Sequence, residues 1–304
     1  MSPLHGIALK LSAVFVFTIM AALIKASSDI VPPGEAVFFR SFFAMPIIIV
    51  WLAMRGDLKV GLKVQRPMGH VWRGLIGVSA MGTGFTALGL LPLPEVTALG
   101  YAAPLMTVIF AAIFLKERLR LFRMSAVALG LVGVVVVLWP RLSLDTLDHA
   151  AALGVACILA STVFRAFSQI HIRRMVATEE TAAIVFWFSM TATLFSLFTI
   201  PFGWAWPGPM GLAQLIGAGL IGGFGQILLT SSYKHAEAAL LAPFDYASIL
   251  FAILIGYFFF EEVPTAMVLI GSAIVVAAGI IIIWRERQLG LKRGKARPSM
   301  TGKW

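Results

Sequence analysis

The chain has 304 residues, 60% of them hydrophobic and 12% charged, where a soluble domain averages about half and a quarter. Windows of about twenty mostly apolar residues, enough to cross a hydrocarbon core of roughly 30 Å, succeed one another with short polar breaks and leave no room for a soluble domain. The formal net charge is +10, but the lysines and arginines fall in alternate connections rather than on one basic face, which favours membrane topology over a nucleic-acid partner.

The reading is an all-α integral membrane protein with ten transmembrane helices, near 5–25, 35–54, 71–91, 93–115, 122–139, 149–170, 181–200, 210–231, 236–260 and 264–284. The first span, GIALKLSAVFVFTIMAALIK, lacks the basic leader of a signal peptide and reads as a retained helix. Its Lys10 lies close enough to one surface to snorkel. Lys25, near the other surface, is interfacial or a gate contact. Phe17 offers a ring for stacking. Arg40, on the second span, reads as packing or an ion pair.

Between the third and fourth spans stands LPLPEVTALGYAAP. Pro92 and Pro94 suit the end of one helix and the first turn of the next. Glu95 then falls in a first turn, where the helix dipole favours a carboxylate, so it caps the helix or makes a gate contact. Pro104 lies inside the fourth span and permits a kink or hinge. Tyr101 and Thr97 add hydrogen-bonding groups there.

On the sixth span, VFRAFSQI places Arg165 and Gln169 one turn apart on one face, able to meet an anionic or carbonyl group, or to snorkel. The eighth span combines a glycine-rich face, suited to close helix approach, with Gln226. The ninth begins KHAEAALLAPFDYA, in which Glu237 corresponds to Glu95 and Pro243 is a second hinge position. Asp245 lies about nine residues in, roughly 13 Å along a helix, near the midplane beside Tyr246. An acid at that depth is costly and marks Asp245 as the leading substrate-site residue, a structural ion pair being the alternative.

The chain repeats itself. LIGVSAMGTG from Leu75 pairs with LIGAGLIGGFG from Leu215, and the passages ending on Trp139 and Trp284 correspond 145 residues apart. Two halves of five spans each must be inverted relative to one another, an architecture suited to alternating access around a central site. The expected organisation is a first five-helix repeat over 1–140, a second over 141–284, and a basic cytoplasmic tail over 285–304. With a cytoplasmic N-terminus the outer connections hold only Lys25 and Arg141, and the positive-inside rule places both termini in the cytoplasm.

These passages, above all AALIKASSDIVPPGEAVFFRSFFA, LPLPEVTALGYAAPLMTVIFAAIFLKERLRLFRMSAVALGLVGVVVVLWP and EEVPTAMVLIGSAIVVAAGIII, resemble the drug/metabolite transporter superfamily and its ten-helix EamA-type members, over about residues 5–284. Lys25, Arg40 and the Pro104–Leu105 pair resemble a bacterial subgroup that includes riboflavin uptake and S-adenosylmethionine carriers. The resemblance implies a carrier in the bacterial inner membrane whose path is lined by spans 1, 3, 4, 6, 8 and 9. It makes riboflavin uptake the first expectation, with S-adenosylmethionine uptake or amino-acid and metabolite export behind it. No acid stands in the middle of the first span, so the proton coupling of the small multidrug relatives is not visible here.

The expected substrate-binding residues are Asp245, Tyr246, Arg165, Gln169, Tyr101, Gln226 and Phe17, and the expected gate or hinge residues are Glu95, Glu237, Pro104 and Pro243. Neither a cofactor nor a metal is expected: Cys157 is the sole cysteine and the five histidines are scattered along the sequence. An intramembrane enzyme would need a reactive constellation that the sequence lacks, and ATP-driven transport would need a P-loop, also lacking. The expected partners are a small-molecule substrate and the lipid bilayer. Ten helices make a monomer sufficient, with a dimer compatible.

Overall fold

The computed structural model describes residues 3–56, 58–115, 121–139, 149–175, 178–235 and 241–295. The helices are α1 (Pro3–Ser27), α2 (Pro33–Phe42), α3 (Ala44–Met54), α4 (Leu58–Gly61), α5 (Pro67–Leu90), α6 (Leu93–Gly100), α7 (Ala102–Leu115), α8 (Leu121–Leu138), α9 (His149–Met175), α10 (Thr181–Leu197), α11 (Gly208–His235), α12 (Ser248–Phe260) and α13 (Ala266–Lys295), with a 3-10 segment over Ala242–Ala247 leading into α12. They compose ten spans, the second from α2 and α3, the fourth from α6 and α7, and the ninth from the 3-10 segment and α12. Among the described residues, Leu4–Ser27, Pro33–Met54, His149–Ile172 and Gly208–Leu229 are each long and apolar enough to cross a bilayer. The fold is all-α, two inverted five-helix repeats.

Packing follows that inversion. The most extensive contacts join α1 to α11 and α5 to α9, which are the first span with the eighth and the third with the sixth. Exchanging the halves converts one pair into the other. The fifth and tenth spans, α8 and α13, pack on each other, and there the backbones meet at two glycines. A Cβ on Gly133 would lie 2.9 Å from the Gly271 carbonyl oxygen, and one on Gly271 2.6 Å from that of Gly133. Small residues of this kind let membrane helices approach closely where apolar burial gives little drive.

Two spans break three residues before a proline. The second is interrupted at Phe43, ahead of Pro46, and the fourth at Tyr101, ahead of Pro104. A proline has no amide to donate, so the carbonyl four residues earlier, on Phe42 or Gly100, loses its helical partner and the chain turns there. Pro243 lies in the 3-10 segment that opens the ninth span; the side chains of Pro104 and Pro243 are outside the described set. Both breaks in the fourth and ninth spans fall where the sequence expects hinges, whereas the one at Phe43 is additional. Glu237 lies outside the described residues. The last helix runs on to Lys295, so the basic segment after Trp284 begins as a continuation of the tenth span rather than as a separate tail.

Candidate substrate cavity and its latch

A cavity of about 1050 Å³ lies between the halves, lined from α1, α2, α3, α5, α6, α9, α10, α11 and the start of the ninth span. The second and seventh spans thus join the six that the resemblance implies. The lining reaches Ile172 and Ile184, within a turn of the ends of α9 and α10, and at its opposite end is roofed by Leu88 and Leu93.

Above that roof sits an ion pair, which joins the two halves of the chain. Lys25 Nζ lies 2.9 Å from Glu262 Oε1 and donates to the carbonyls of Leu88 at 3.0 Å and Leu91 at 2.8 Å. Its ammonium also stands 5.6 Å from the centre of the Phe260 ring. Glu262 Oε2 accepts the amide of Leu93 at 2.8 Å, one of the first-turn donors that an α-helix leaves without an internal partner. The carboxylate that caps α6 therefore comes from the second half of the chain. Glu95 is buried in the same first turn, where no side chain caps the helix from Pro92. The sequence reads Lys25 as interfacial or a gate contact; the structure pairs it, part-buried, with Glu262, a partner that carries no signal in the sequence.

At the other end of α1, Lys10 Nζ lies 2.6 Å from Asp245 Oδ1. The lysine side chain is buried, only 3% exposed, while that of Asp245 is 53% exposed and lines the cavity. Lys10 does not snorkel; its counter-charge is close by and inward. Asp245 is placed by the 3-10 segment, whose carbonyls are held from the first half. The Tyr101 hydroxyl donates to the Tyr246 carbonyl at 3.2 Å and shares a short contact with Ser248 Oγ, which itself donates to the Asp245 carbonyl at 2.8 Å. The rings of Tyr101 and Tyr246 meet edge to face, 4.9 Å between centroids. These tyrosines stand 145 residues apart, the spacing of the repeat.

Five of the expected binding residues, Asp245, Arg165, Tyr101, Gln226 and Phe17, line the one cavity. Tyr246 does not. Its hydroxyl occupies the space left by the missing side chain of Gly279 on α13, so it faces the tenth span rather than the path. The side chain of Gln169 is outside the described residues. Arg165 reaches between two glycines: a Cβ on Gly84 would lie 3.1 Å from its Nη2 and one on Gly100 3.5 Å from its Nη1.

Two further arginines were not foreseen as lining residues. Arg40 lines the cavity rather than serving as packing outside it. Arg73, which stands at the edge of the third span as read from the sequence and counts there with the basic charges of the connection before it, is the seventh residue of α5, because that helix starts at Pro67. Proline at the first helical position was the available signal. The Arg73 guanidinium carbon stands 3.8 Å from the centre of the Phe188 ring and that of Arg40 6.0 Å.

Outside the spans, the connection over 178–180 is tied to the start of α5. Glu179 accepts the amides of Gln65 at 3.0 Å and Arg66 at 2.6 Å, with His70 Nε2 at 3.5 Å. Burial alone pushes the Glu179 carboxyl up, but those amides and the neighbouring His70 outweigh it and hold the group below the usual carboxylate range.

The sequence pattern of the EamA-like transporter family matches residues 4–139 and again 152–285. The chain belongs to the EamA-like transporter family. Within it, the chain is 31% identical over 284 residues to the pseudopaline exporter of Pseudomonas aeruginosa, covering 91% of this chain and 95% of the relative. It is 28% identical over 254 residues to the S-adenosylmethionine uptake transporter of Rickettsia prowazekii, covering 84% of each. A crystal structure superposes with a TM-score of 0.66 at 22% identity, over 93% of this chain and 98% of that one, a likeness of fold. The EamA family and these relatives make the chain a multi-pass bacterial membrane transporter of a small molecule, not an enzyme.

Proposed function

We propose that the chain is an inner-membrane secondary carrier that moves a small organic metabolite by alternating access, with export from the cytoplasm as its direction. The cavity between inverted halves, closed above Leu88 and Leu93 by the Lys25–Glu262 latch, carries this reading. Both termini lie in the cytoplasm, in keeping with the basic connections at that end, and the latch faces the periplasm. The substrate enters among Asp245, Arg165, Tyr101, Gln226 and Phe17, and the proline-broken spans supply the bending that opens the opposite face. The two repeats, residues 1–140 and 141–284, move as the rocking units. Export is favoured by the likeness to the pseudopaline exporter.

Uptake of S-adenosylmethionine is the second reading, supported by the likeness to the rickettsial carrier. Riboflavin uptake, the first expectation from the sequence, is the name of neither relative described above. The test compares cells making the chain with cells making Glu262→Gln. Labelled riboflavin and S-adenosylmethionine are offered outside, and mass spectrometry follows metabolites appearing in the medium. Export predicts a metabolite enriched outside only with the unaltered chain. Uptake of either labelled compound, competed by its unlabelled form, would replace export with import.

A further inference from the structure

The charges lining the cavity do not balance. Its ionised side chains are Arg40, Arg73, Arg165 and Asp245, and Asp245 is already engaged by Lys10 at 2.6 Å. Among the described residues none of the three arginines has a carboxylate within ion-pair distance. Arg40 is buried and its Nε, like the Nε of Arg73, has no hydrogen-bond partner. What the protein provides instead is shape. Phe188 lies beneath the guanidiniums of Arg73 and Arg40, and the bare positions Gly84 and Gly100 flank that of Arg165. An aromatic face and a glycine cradle orient a cation without neutralising it.

Uncompensated charge is among the costliest things to bury, and more so within a bilayer. Three cations thus converge on one cavity, Arg40 buried, Arg73 half-buried and Arg165 open to the cavity, with no counter-charge for them among the described residues. Guanidinium forks match carboxylate geometry two bonds at a time. We propose that the cavity is built for a small organic anion carrying more than one carboxylate, whose groups supply the missing counter-charges at Arg40, Arg73 and Arg165. This rests on the carrier reading for its purpose, though binding itself requires no transport. Arg40 and Arg73 take one carboxylate beside Phe188, and Arg165 takes another between α5 and α6. Ser168, Thr97 and Gln226, also in the lining, offer neutral hydrogen bonds to the body of the ligand.

The test uses citrate as the tricarboxylate probe on the purified full chain in lipid nanodiscs. Its effect on Tm is measured against chloride of matched ionic strength, with S-adenosylmethionine, which carries a fixed sulfonium cation, and uncharged riboflavin beside it. The expected result is a Tm rise with citrate alone, reduced in Arg73→Gln and Arg165→Gln. Those variants separate a binding role from a structural one, because removing an unpaired cation should hold or raise the Tm of the ligand-free protein, while removing a structural arginine should lower it. Gly84→Ala keeps every charge but crowds Arg165 Nη2, and should also weaken the citrate effect. The proposal is overturned if citrate leaves the folded wild type unshifted, or if the arginine variants respond as it does. Either result leaves the carrier reading intact, since that is judged by access to the cavity from the two membrane faces.

Discussion

Lys25 and Glu262, 237 positions apart in the chain, form an ion pair of 2.9 Å directly above the cavity roof. The free oxygen of the same carboxylate holds the first turn of α6 through the Leu93 amide. One side chain thus joins the end of the first span, the start of the fourth and the connection after the ninth. Glu262→Gln removes the charge and leaves Lys25 part-buried without its anion, a loss of roughly 3 kcal/mol from the latched state, on the order of a hundredfold in the balance between closed and open. The expected outcome is faster thiol labelling of Thr97→Cys from the latch side. The exchanged pair, Lys25→Glu with Glu262→Lys, restores part of the closure.

The pair formed by Lys10 and Asp245 is asymmetric, one side chain buried and the other half-exposed. Asp245→Asn takes away the carboxylate beside Lys10, at a cost between that of an exposed and of a buried pair, about 1–3 kcal/mol. In a double-mutant cycle with Lys10→Met, thermal stability is expected to recover in the double variant. Equal losses from the two single changes that simply add would contradict the pairing.

Gly279 leaves the space that the Tyr246 hydroxyl fills. Gly279→Ala forces the ring to shift, and overpacking of this sort costs about 1–3 kcal/mol. Tyr246→Phe in the same background removes the colliding oxygen. Denaturation in detergent should show Gly279→Ala lowering Tm and the added Tyr246→Phe returning much of the loss.

Glu179 gives a pH dependence with a defined sign. Its carboxyl is held below the usual range in the fold, so its contribution is present above the unfolded value of about 4.3 and is lost as pH falls through the lower, folded value. The Gln65 and Arg66 amides should then lose hydrogen-exchange protection in the acid range, after correction for intrinsic rates. In Glu179→Gln that acid transition should vanish.

Much of the fold was legible because its causes are local and periodic. Apolar run lengths gave ten spans, and the two Trp-ended passages revealed the repeat. Pro104 and Pro243 marked breaks because proline acts on its own helix. Asp245 and Arg165 stand out in the sequence because a charge inside an apolar span is costly, and both line the cavity. What escaped depends on partners remote in sequence. That Glu262 would meet Lys25, or that Tyr246 would turn toward Gly279 while Tyr101 lines the cavity, follows from how the halves pack. Arg73 stands two residues into the span read as 71–91 and so counts with the basic charges of the connection before it, whereas α5 starts four residues earlier, at Pro67.

Site-directed labelling from both faces tests alternating access across the Lys25–Glu262 pair without knowledge of the substrate. The measurement is the rate at which Thr97→Cys, in a Cys157→Ser background, reacts with an impermeant thiol reagent applied to either side, with and without Glu262→Gln. Alternating access predicts opposite changes: faster labelling from the latch side and slower from the other, because both report one equilibrium. Rates that rise together on both faces, or that do not change on either, would contradict it.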